Sequence, residues 1–203
     1  MTARIETLMM SALANRHTTY TTYDIARAAI LRGVPGDFVE CGVYAGAQAA
    51  AMAKAIMDEP PDHIHRRVHL LDSFRGIPAA GPHDREFLEA GHLEGLSACS
   101  IESVGTNMTN WGIDPHLLTW HEGLFADTVP ILASQMRERC RHIAILRLDG
   151  DLYESTKVCL EHLYPLLAPG GWCIVDDWNL AGCRKAVLEI VGTDVQPVCW
   201  QKA

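Results

Sequence analysis

Short apolar runs recur along the chain and alternate with segments whose apolar residues recur at helical spacing. Several of the runs are rich in β-branched side chains, as in parallel strands that are covered on both faces. The predicted strands are residues 38–41, 68–71, 117–120, 143–148 and 172–175, and residues 195–200 are expected to add an antiparallel edge strand. This alternation predicts an α/β fold with a doubly wound, mostly parallel sheet.

Two stretches extend this core. Residues 1–35 are expected to form a helical arm that the polar sequence HTTYTTY, at residues 17–23, interrupts, with Asp24 capping the helix that follows. Residues 75–114 form a long polar insertion, and insertions of this size often serve as lids or binding loops. Together with the core of residues 36–203, which contains the insertion, they make a single domain of residues 1–203.

The composition of the chain restricts the kinds of molecule that the protein is expected to bind. The chain has 203 residues, 48% of them hydrophobic, and a formal charge of −8. This charge argues against nucleic acid or an anionic membrane as the main partner. No apolar run approaches the length of a membrane span, and residues 1–10 lack the apolar core of a signal peptide. We therefore expect a cytoplasmic protein that acts on a small molecule. Its oligomeric state stays open, and a homo-oligomer is one of the states considered.

Four aspartates follow two of the predicted strands. Asp149 and Asp151 come after the fourth strand, Asp176 and Asp177 come after the fifth, and Ser155 is expected to cap the helix between them. A right-handed crossover brings the carboxyl ends of both strands to one edge of the sheet. Clustered carboxylates repel one another unless a cation lies among them, and Mg²⁺ prefers oxygen ligands. If the strand stays extended, Asp149 and Asp151 point the same way, so that one ligates while the other faces a substrate. Alternatively, these residues cap the following helix.

The first strand ends in a turn that suits an adenosyl cofactor. The sequence is Glu-x-Gly-x-x-x-Gly, with Glu40 at the strand end and Gly42 and Gly46 in the turn. Glycines let a backbone approach a ligand closely, and Glu40 can accept from an amino group or a hydroxyl. The Gly-x-Gly-x-x-Gly fingerprint of dinucleotide-binding proteins is missing, which disfavours NAD. Asp72, at the end of the second strand, is placed to bind a ribose diol.

Further cofactor contacts are expected at the same edge of the sheet. They are Tyr44, Ser73, Gly123, Phe125 and Asp149.

Six blocks of sequence resemble one known family. The blocks GDFVECGVYAG, LLDSFRGIP, GLFADTVP, LRLDGDLYEST, LYPLLAPGG and IVDDW occur in order from about residue 34 to the carboxyl terminus. Together they are similar to the macrocin O-methyltransferase (TylF) family, which methylates sugar hydroxyls of antibiotics. The resemblance implies a Rossmann-like class I methyltransferase fold that uses S-adenosylmethionine and Mg²⁺.

The resemblance also implies roles for individual residues. Glu40, Gly42 and Gly46 match positions beside the methionine part of the cofactor, and Asp72 matches the position beside its ribose. The metal ligands implied are Asp149, Asp176 and Asp177, and Asp151 is implied as the general base.

The residues fit this chemistry independently of the family. A metal-bound sugar hydroxyl has a lowered pKa, and a carboxylate can then take its proton. A diol would chelate the metal well, which points to sugars, with catechols as the nearest alternative. The Asp-x-Asp sequence at Asp149 and Asp151 also occurs in phosphatases with an aspartate nucleophile, and a non-catalytic cofactor-binding protein is a further alternative.

Overall fold

The structure is a computed structural model that describes residues 16–59, 65–91, 94–193, 195 and 198–203. The predicted arm before residue 16 lies outside this described part. In chain order the elements are α1 (Arg16–Leu31), β1 (Asp37–Cys41), α2 (Ala47–Asp58), β2 (Val68–Asp72), α3 (Arg85–Glu89), α4 (Ile101–Asn110), β3 (Leu118–Glu122), α5 (Phe125–Glu138), β4 (Ile143–Leu148), α6 (Tyr153–Leu163), β5 (Leu167–Val175), α7 (Ala181–Ile190) and β6 (Cys199–Gln201). None of the helices in these ranges combines the length and the apolar character needed to cross a bilayer.

The strands of the described residues form one sheet in the order β3-β2-β1-β4-β5-β6. The first five in this order pair in parallel, and β6 pairs antiparallel with β5. The predicted fold class is therefore confirmed. The chain first winds outward from β1 to β3 and then crosses back to β4 on the other side of β1. Ligands of such sheets bind outside the carboxyl ends of the strands at this switch point.

Helices cover both faces of the sheet because successive strand residues point to opposite sides. Phe38 belongs to a core cluster that contains residues of α1, α2 and α4. Its neighbour Val39 belongs to a second cluster, which contains residues of α5, α6 and α7. With both faces covered by helices in the described part of the chain, a ligand can approach the sheet at the ends of the strands.

The polar sequence at residues 17–23 does not interrupt the arm, so that prediction was wrong. Helix α1 runs through it without a break, and Asp24 is exposed within the helix rather than at its start. Thr19 and Thr22 are buried, and Nε2 of Gln48 in α2 donates to Oγ1 of Thr19 at 3.3 Å. Packing between the two helices thus tolerates threonines that local propensity disfavours.

The cap predicted at Ser155 was also wrong. Helix α6 begins at Tyr153, so Ser155 is buried inside the helix. The N-cap position is occupied by Leu152, which provides no side-chain hydrogen bond. The first backbone N–H of this helix finds its acceptor in a distant part of the chain.

Candidate active site

A cavity of about 650 Å³ opens at the carboxyl ends of β1 to β4. This volume lies in the range of cofactor and drug-sized ligand sites. Most of the residues predicted to bind cofactor or substrate line it: Gly42, Tyr44, Asp72, Ser73, Gly123, Phe125, Asp149 and Asp151. The structure therefore brings together residues that lie up to about 110 positions apart in the chain.

Gly42 allows the ends of β1 and β4 to approach each other. A Cβ atom at this position would lie 1.7 Å from the carbonyl oxygen of Asp149, and Gly42 has φ +93°. The backbone N–H of Asp149 donates to the carbonyl oxygen of Cys41 at 2.8 Å. Only glycine fits this position, and the close approach places the turn after β1 beside the aspartate cluster.

Asp72 organises the turn after β1 from the neighbouring strand. Its Oδ2 accepts from the backbone N–H groups of Val43, at 2.7 Å, and Tyr44, at 3.2 Å. Its Oδ1 accepts from the N–H of Phe74 at 2.8 Å. The Phe74 ring is buried and packs near Trp120, with 5.9 Å between ring centroids. Because each carboxylate oxygen has further lone pairs, Asp72 keeps acceptor capacity toward the cavity.

Three other predicted contacts complete this wall. Oγ of Ser73 donates to the carbonyl oxygen of Gly76 at 2.9 Å. Gly123 has φ +144°, and its N–H donates to the carbonyl oxygen of Asp72 at 2.9 Å. Phe125 is the first residue of α5, and its ring lies so close to Gly150 that a Cβ there would be 3.1 Å away. These contacts fix the part of this wall that is formed by the residues after β2 and β3.

Glu40 and Gly46 lie behind the wall and are not among the lining residues. The Glu40 side chain is fully buried, and burial, partly offset by Arg147, raises its pKa to about 8. Within the described ranges, its Oε2 has no hydrogen-bond partner. Gly46 is the N-cap residue of α2, and a Cβ there would meet the side chains of Val104 and Met108 at 2.9 and 2.8 Å. The structure thus gives Gly46 a packing role against α4.

Arg147 was missed by the sequence reasoning. Its side chain is 1% exposed, and Nη1 donates to Asp149 Oδ2 at 2.7 Å and more weakly to Glu40 at 3.3 Å. Nη2 donates to Asp176 Oδ1 at 2.6 Å. Burial lowers the pKa of Arg147, but the three carboxylates outweigh it and raise the pKa above its usual value. An arginine inside the otherwise apolar run IAILRL was the available signal, since a buried cation needs anionic partners.

Asp149, Asp151 and Asp177 form a compact cluster. Each offers a carboxylate oxygen, and the three oxygens lie within 4.8 Å of one another. Burial and repulsion by the neighbouring aspartates raise the pKa of Asp177 to about 8 and that of Asp151 to about 6. Burial also raises the pKa of Asp176, against the opposing effect of Arg147. The cluster therefore has more acidic groups than it can ionise together at neutral pH.

Asp151 reaches the cluster by a different path from the one expected. Strand β4 ends at Leu148, and Asp151 has φ +59°, so the segment is not extended. The N–H of Asp151 donates to Oδ2 of Asp177 at 2.9 Å. A tight turn held by the end of β5, rather than strand alternation, places the carboxylate.

The chain is similar to a family and to individual proteins of known type. Residues 15–192 match the family model described as Macrocin-O-methyltransferase (TylF). The chain is 39% identical to the 8-demethyl-8-(2,3-dimethoxy-alpha-L-rhamnosyl)-tetracenomycin-C 4'-O-methyltransferase of Streptomyces olivaceus, over 79% of this chain and 59% of the relative. It is 34% identical to the mycinamicin III 3''-O-methyltransferase of Micromonospora griseorubida, over 87% of this chain and 72% of the relative.

Among solved structures, the O-methyltransferase NovP superposes with a TM-score of 0.77 at 31% identity, over 92% of this chain and 79% of that one. The chain spans less than two thirds of the length of the Streptomyces olivaceus relative. These matches confirm the resemblance drawn from the six sequence blocks. The chain belongs to the macrocin-O-methyltransferase (TylF) family.

Proposed function

We propose that the protein is an S-adenosylmethionine-dependent O-methyltransferase that methylates a sugar hydroxyl of a glycosylated natural product, with a divalent cation as cofactor. The observation that carries the proposal is one cavity with two different walls. The turn after β1 and Asp72 form one wall, and the aspartates after β4 form the other. Donor and acceptor can therefore meet in one chamber, which is the main requirement of a direct group transfer.

The first wall suits the donor. Gly42 and Tyr44 bring backbone to the cavity surface, and Asp72 offers acceptor oxygens for a ribose diol. Behind this wall, the buried Oε2 of Glu40 has no hydrogen-bond partner among the described residues, so it is an additional polar atom on the donor side. When bound there, S-adenosylmethionine supplies an electrophilic methyl group on a sulfonium ion.

The second wall fits a hard divalent cation such as Mg²⁺. Arg147 binds one oxygen of Asp149 and one of Asp176, which leaves the other oxygen of each carboxylate for a ligand. Asp177 adds a third carboxylate beside Asp149. Asp149, Asp176 and Asp177 would hold the cation, which supplies Lewis acidity that lowers the pKa of a coordinated hydroxyl.

Asp151 is the general base in this proposal. It lines the cavity, and its pKa of about 6 lets it be ionised at neutral pH while remaining basic enough to accept a proton. Its carboxylate takes the proton of the acceptor hydroxyl as that oxygen bonds to the methyl carbon and the carbon–sulfur bond breaks. The turn that Asp177 holds keeps Asp151 at the cavity edge during this step.

The remaining lining suits an acceptor with an apolar part. Ile77 and Pro78 from the insertion, Leu124 from the start of α5 and Val158 from α6 face this region, and the exposed Glu154 lies at its rim. The Streptomyces olivaceus relative is named for methylation of a rhamnosyl compound, which supports a glycoside acceptor. An apolar aglycone against these side chains would leave the sugar at Asp151.

The test combines calorimetry with an acceptor panel. We expect S-adenosylmethionine to bind, Mg²⁺ to be required for turnover, and methyl transfer to occur to glycosides in a panel of glycosides and catechols. If methyl transfer occurs to catechols alone, the acceptor is a catechol and not a sugar. A protein that ignores the donor but hydrolyses phosphate esters would instead be a phosphatase, and donor binding without turnover on any acceptor would indicate a non-catalytic role.

A further inference from the structure

Asp84, in the insertion, lies against the start of α6. Its side chain is almost fully buried, with the residue 3% exposed. Oδ1 accepts from the backbone N–H of Tyr153 at 2.8 Å, and Oδ2 accepts from the N–H of Gly81 at 3.0 Å. Both carboxylate oxygens are therefore engaged by backbone groups, one in the insertion and one in the helix that follows the aspartate cluster.

This contact replaces a missing helix cap. The first N–H groups of a helix need outside acceptors, and a negative charge at that end is favourable because of the helix dipole. Leu152, at the N-cap position of α6, provides no side-chain acceptor. Asp84 lies 69 residues upstream and supplies the acceptor and the charge together. The start of α6 thus depends on the insertion.

The residues around Asp84 leave room for its carboxylate beside the start of α6. A Cβ at Gly182 in α7 would lie 2.3 Å from Oδ1 of Asp84, so only glycine leaves the room. Ile77 and Phe87 of the insertion form a small apolar cluster with Leu152. The insertion is therefore docked on α6 and α7 by a buried carboxylate and by apolar contacts, next to the cavity that Asp84 and Ile77 both line.

We propose that Asp84 is a positioning residue that fixes the carboxylate of Asp151 for proton transfer. The three-residue segment from Asp151 to Tyr153 is held at its two ends by carboxylates from elsewhere in the chain. Asp177 accepts from the N–H of Asp151 at 2.9 Å, and Asp84 accepts from the N–H of Tyr153 at 2.8 Å. Asp151 has φ +59°, a backbone conformation that is costly for a residue other than glycine, and the two contacts help to stabilise it. This inference rests on the role proposed for Asp151.

The test begins with two variants of Asp84. Asp84→Ala removes both acceptors, and we expect kcat to fall about 10- to 100-fold, since small misplacements of a reacting group have effects of this size. The dissociation constant for S-adenosylmethionine should change by less than about threefold, because the donor wall is separate. Asp84→Asn keeps an oxygen for the Tyr153 N–H and should restore most of the lost turnover.

Ser100→Ala is the matched control. Ser100 also lies in the insertion, and its side chain caps α4 by accepting from the N–H of Ser103 at 3.2 Å. This variant loses a helix cap away from Asp151, so we expect a modest loss of stability and an unchanged kcat. If Asp84→Ala shows no greater loss of kcat than Ser100→Ala, Asp84 has no positioning role.

Gly182→Ala is an independent probe that leaves Asp84 in place. The added methyl group would displace the carboxylate from the Tyr153 N–H, so the same fall in kcat with retained donor binding is expected. This variant, with Asp84→Asn, keeps the proposal testable if Asp84→Ala does not fold. A Gly182→Ala protein that folds and has wild-type kcat would contradict the proposal.

Amide hydrogen exchange separates this inference from the proposed function. In Asp84→Ala, the N–H groups of Tyr153 and Asp151 should each exchange at least about tenfold faster than in Ser100→Ala. Unchanged protection of Asp151 would overturn the positioning role even in an active enzyme. Conversely, a wild-type protein that methylates nothing would overturn the proposed function, while the exchange result would still decide whether Asp84 holds the turn.

Discussion

Nη2 of Arg147 donates a 2.6 Å hydrogen bond to Oδ1 of Asp176, joining the carboxyl end of β4 to the residue that follows β5. The same guanidinium binds Asp149 and Glu40, so one buried cation faces three carboxylates. Asp151 and Asp177 lie beyond it without a cationic partner of their own among the ion pairs of the described residues. Burial, together with repulsion among these aspartates, raises the pKa values of Asp151 and Asp177.

Replacing Arg147 should destabilise the fold strongly. In Arg147→Met, Glu40 and Asp176 lose their buried counter-ion, and removal of one partner from a buried ion pair costs about 3–5 kcal/mol. Urea denaturation would measure the change in the free energy of unfolding. Arg75→Met is the control, because the Arg75 side chain is 84% exposed and its pairing with Glu122 should contribute at most about 1 kcal/mol. Equal effects of the two substitutions would show that the Arg147 network does not hold the site.

Asp151→Asn should abolish most turnover without weakening donor binding. The amide cannot accept the proton, and loss of a general base typically costs about 10²- to 10⁴-fold in rate. Single-turnover methyl transfer would measure the rate, and calorimetry the affinity for S-adenosylmethionine. Asp24→Asn, on the exposed face of α1, serves as the control for a change of charge. Turnover of Asp151→Asn at the wild-type rate would remove Asp151 as the base.

Binding of Mg²⁺ should release protons and weaken at lower pH. Burial and the neighbouring aspartates raise the pKa of Asp177 to about 8, so this group is largely protonated at pH 7, whereas a metal ligand must be ionised. We therefore expect the affinity to fall as the pH decreases from about 8 to 6. Calorimetry in buffers of different ionisation enthalpy would count the protons. Asp177→Ala should lose both the binding and the proton release, whereas pH-independent binding would contradict this assignment.

His121 should make the fold less stable in mild acid. Burial, and then the nearby His69 ring, lower the pKa of His121 from 6.5 to about 4. Between these values the unfolded chain binds a proton that the folded protein does not, so the free energy of unfolding decreases as the pH falls from 6.5 to about 4. Because the ring is only partly buried, we expect about 1–2 kcal/mol.

Glu40 and Asp177 have raised pKa values, so their protonation makes the fold more stable as the pH falls and opposes the effect of His121. Both groups are present in wild type and in His121→Gln, so the difference between the two proteins reports His121 alone. The difference between wild type and variant should appear only below about pH 6.5. His116→Gln, at an exposed site, should show no such difference. If the free energies of unfolding of the wild type and His121→Gln keep a constant difference down to about pH 4, the prediction is contradicted.

Two glycine substitutions should change the stability of the fold in opposite directions. In Gly42→Ala, the methyl group would lie 1.7 Å from the carbonyl oxygen of Asp149, at a positive φ. The strand ends must separate, and we expect a loss of more than about 3 kcal/mol together with loss of donor binding. Gly105→Ala, in α4 with open space around the added atom, should instead stabilise by about 0.4–1 kcal/mol. Thermal unfolding of both variants tests the pair.

Sequence patterns identified β1, β2 and β4 well because these strands are buried along almost their whole length and must be largely apolar. The predicted run at residues 143–148 coincides with β4, and the acids expected at the sheet edge do lie at the cavity or beside it. Prediction failed where a distant contact replaces a local one. Thr19 is accommodated by packing against α2, and α6 starts without its own cap because Asp84 supplies the acceptor. Neither partner lies near in sequence.

The sequence by itself determined the family, the order of strands and helices, and the acidic ends of β4 and β5, because these depend on local composition and periodicity. Only the tertiary structure decided how the acids are used. It turns Asp176 toward Arg147, brings Asp151 beside Asp177 through a left-handed turn, and places Gly46 against α4. The physical reason is that charge pairing and close packing depend on distances between elements, which a one-dimensional pattern does not contain.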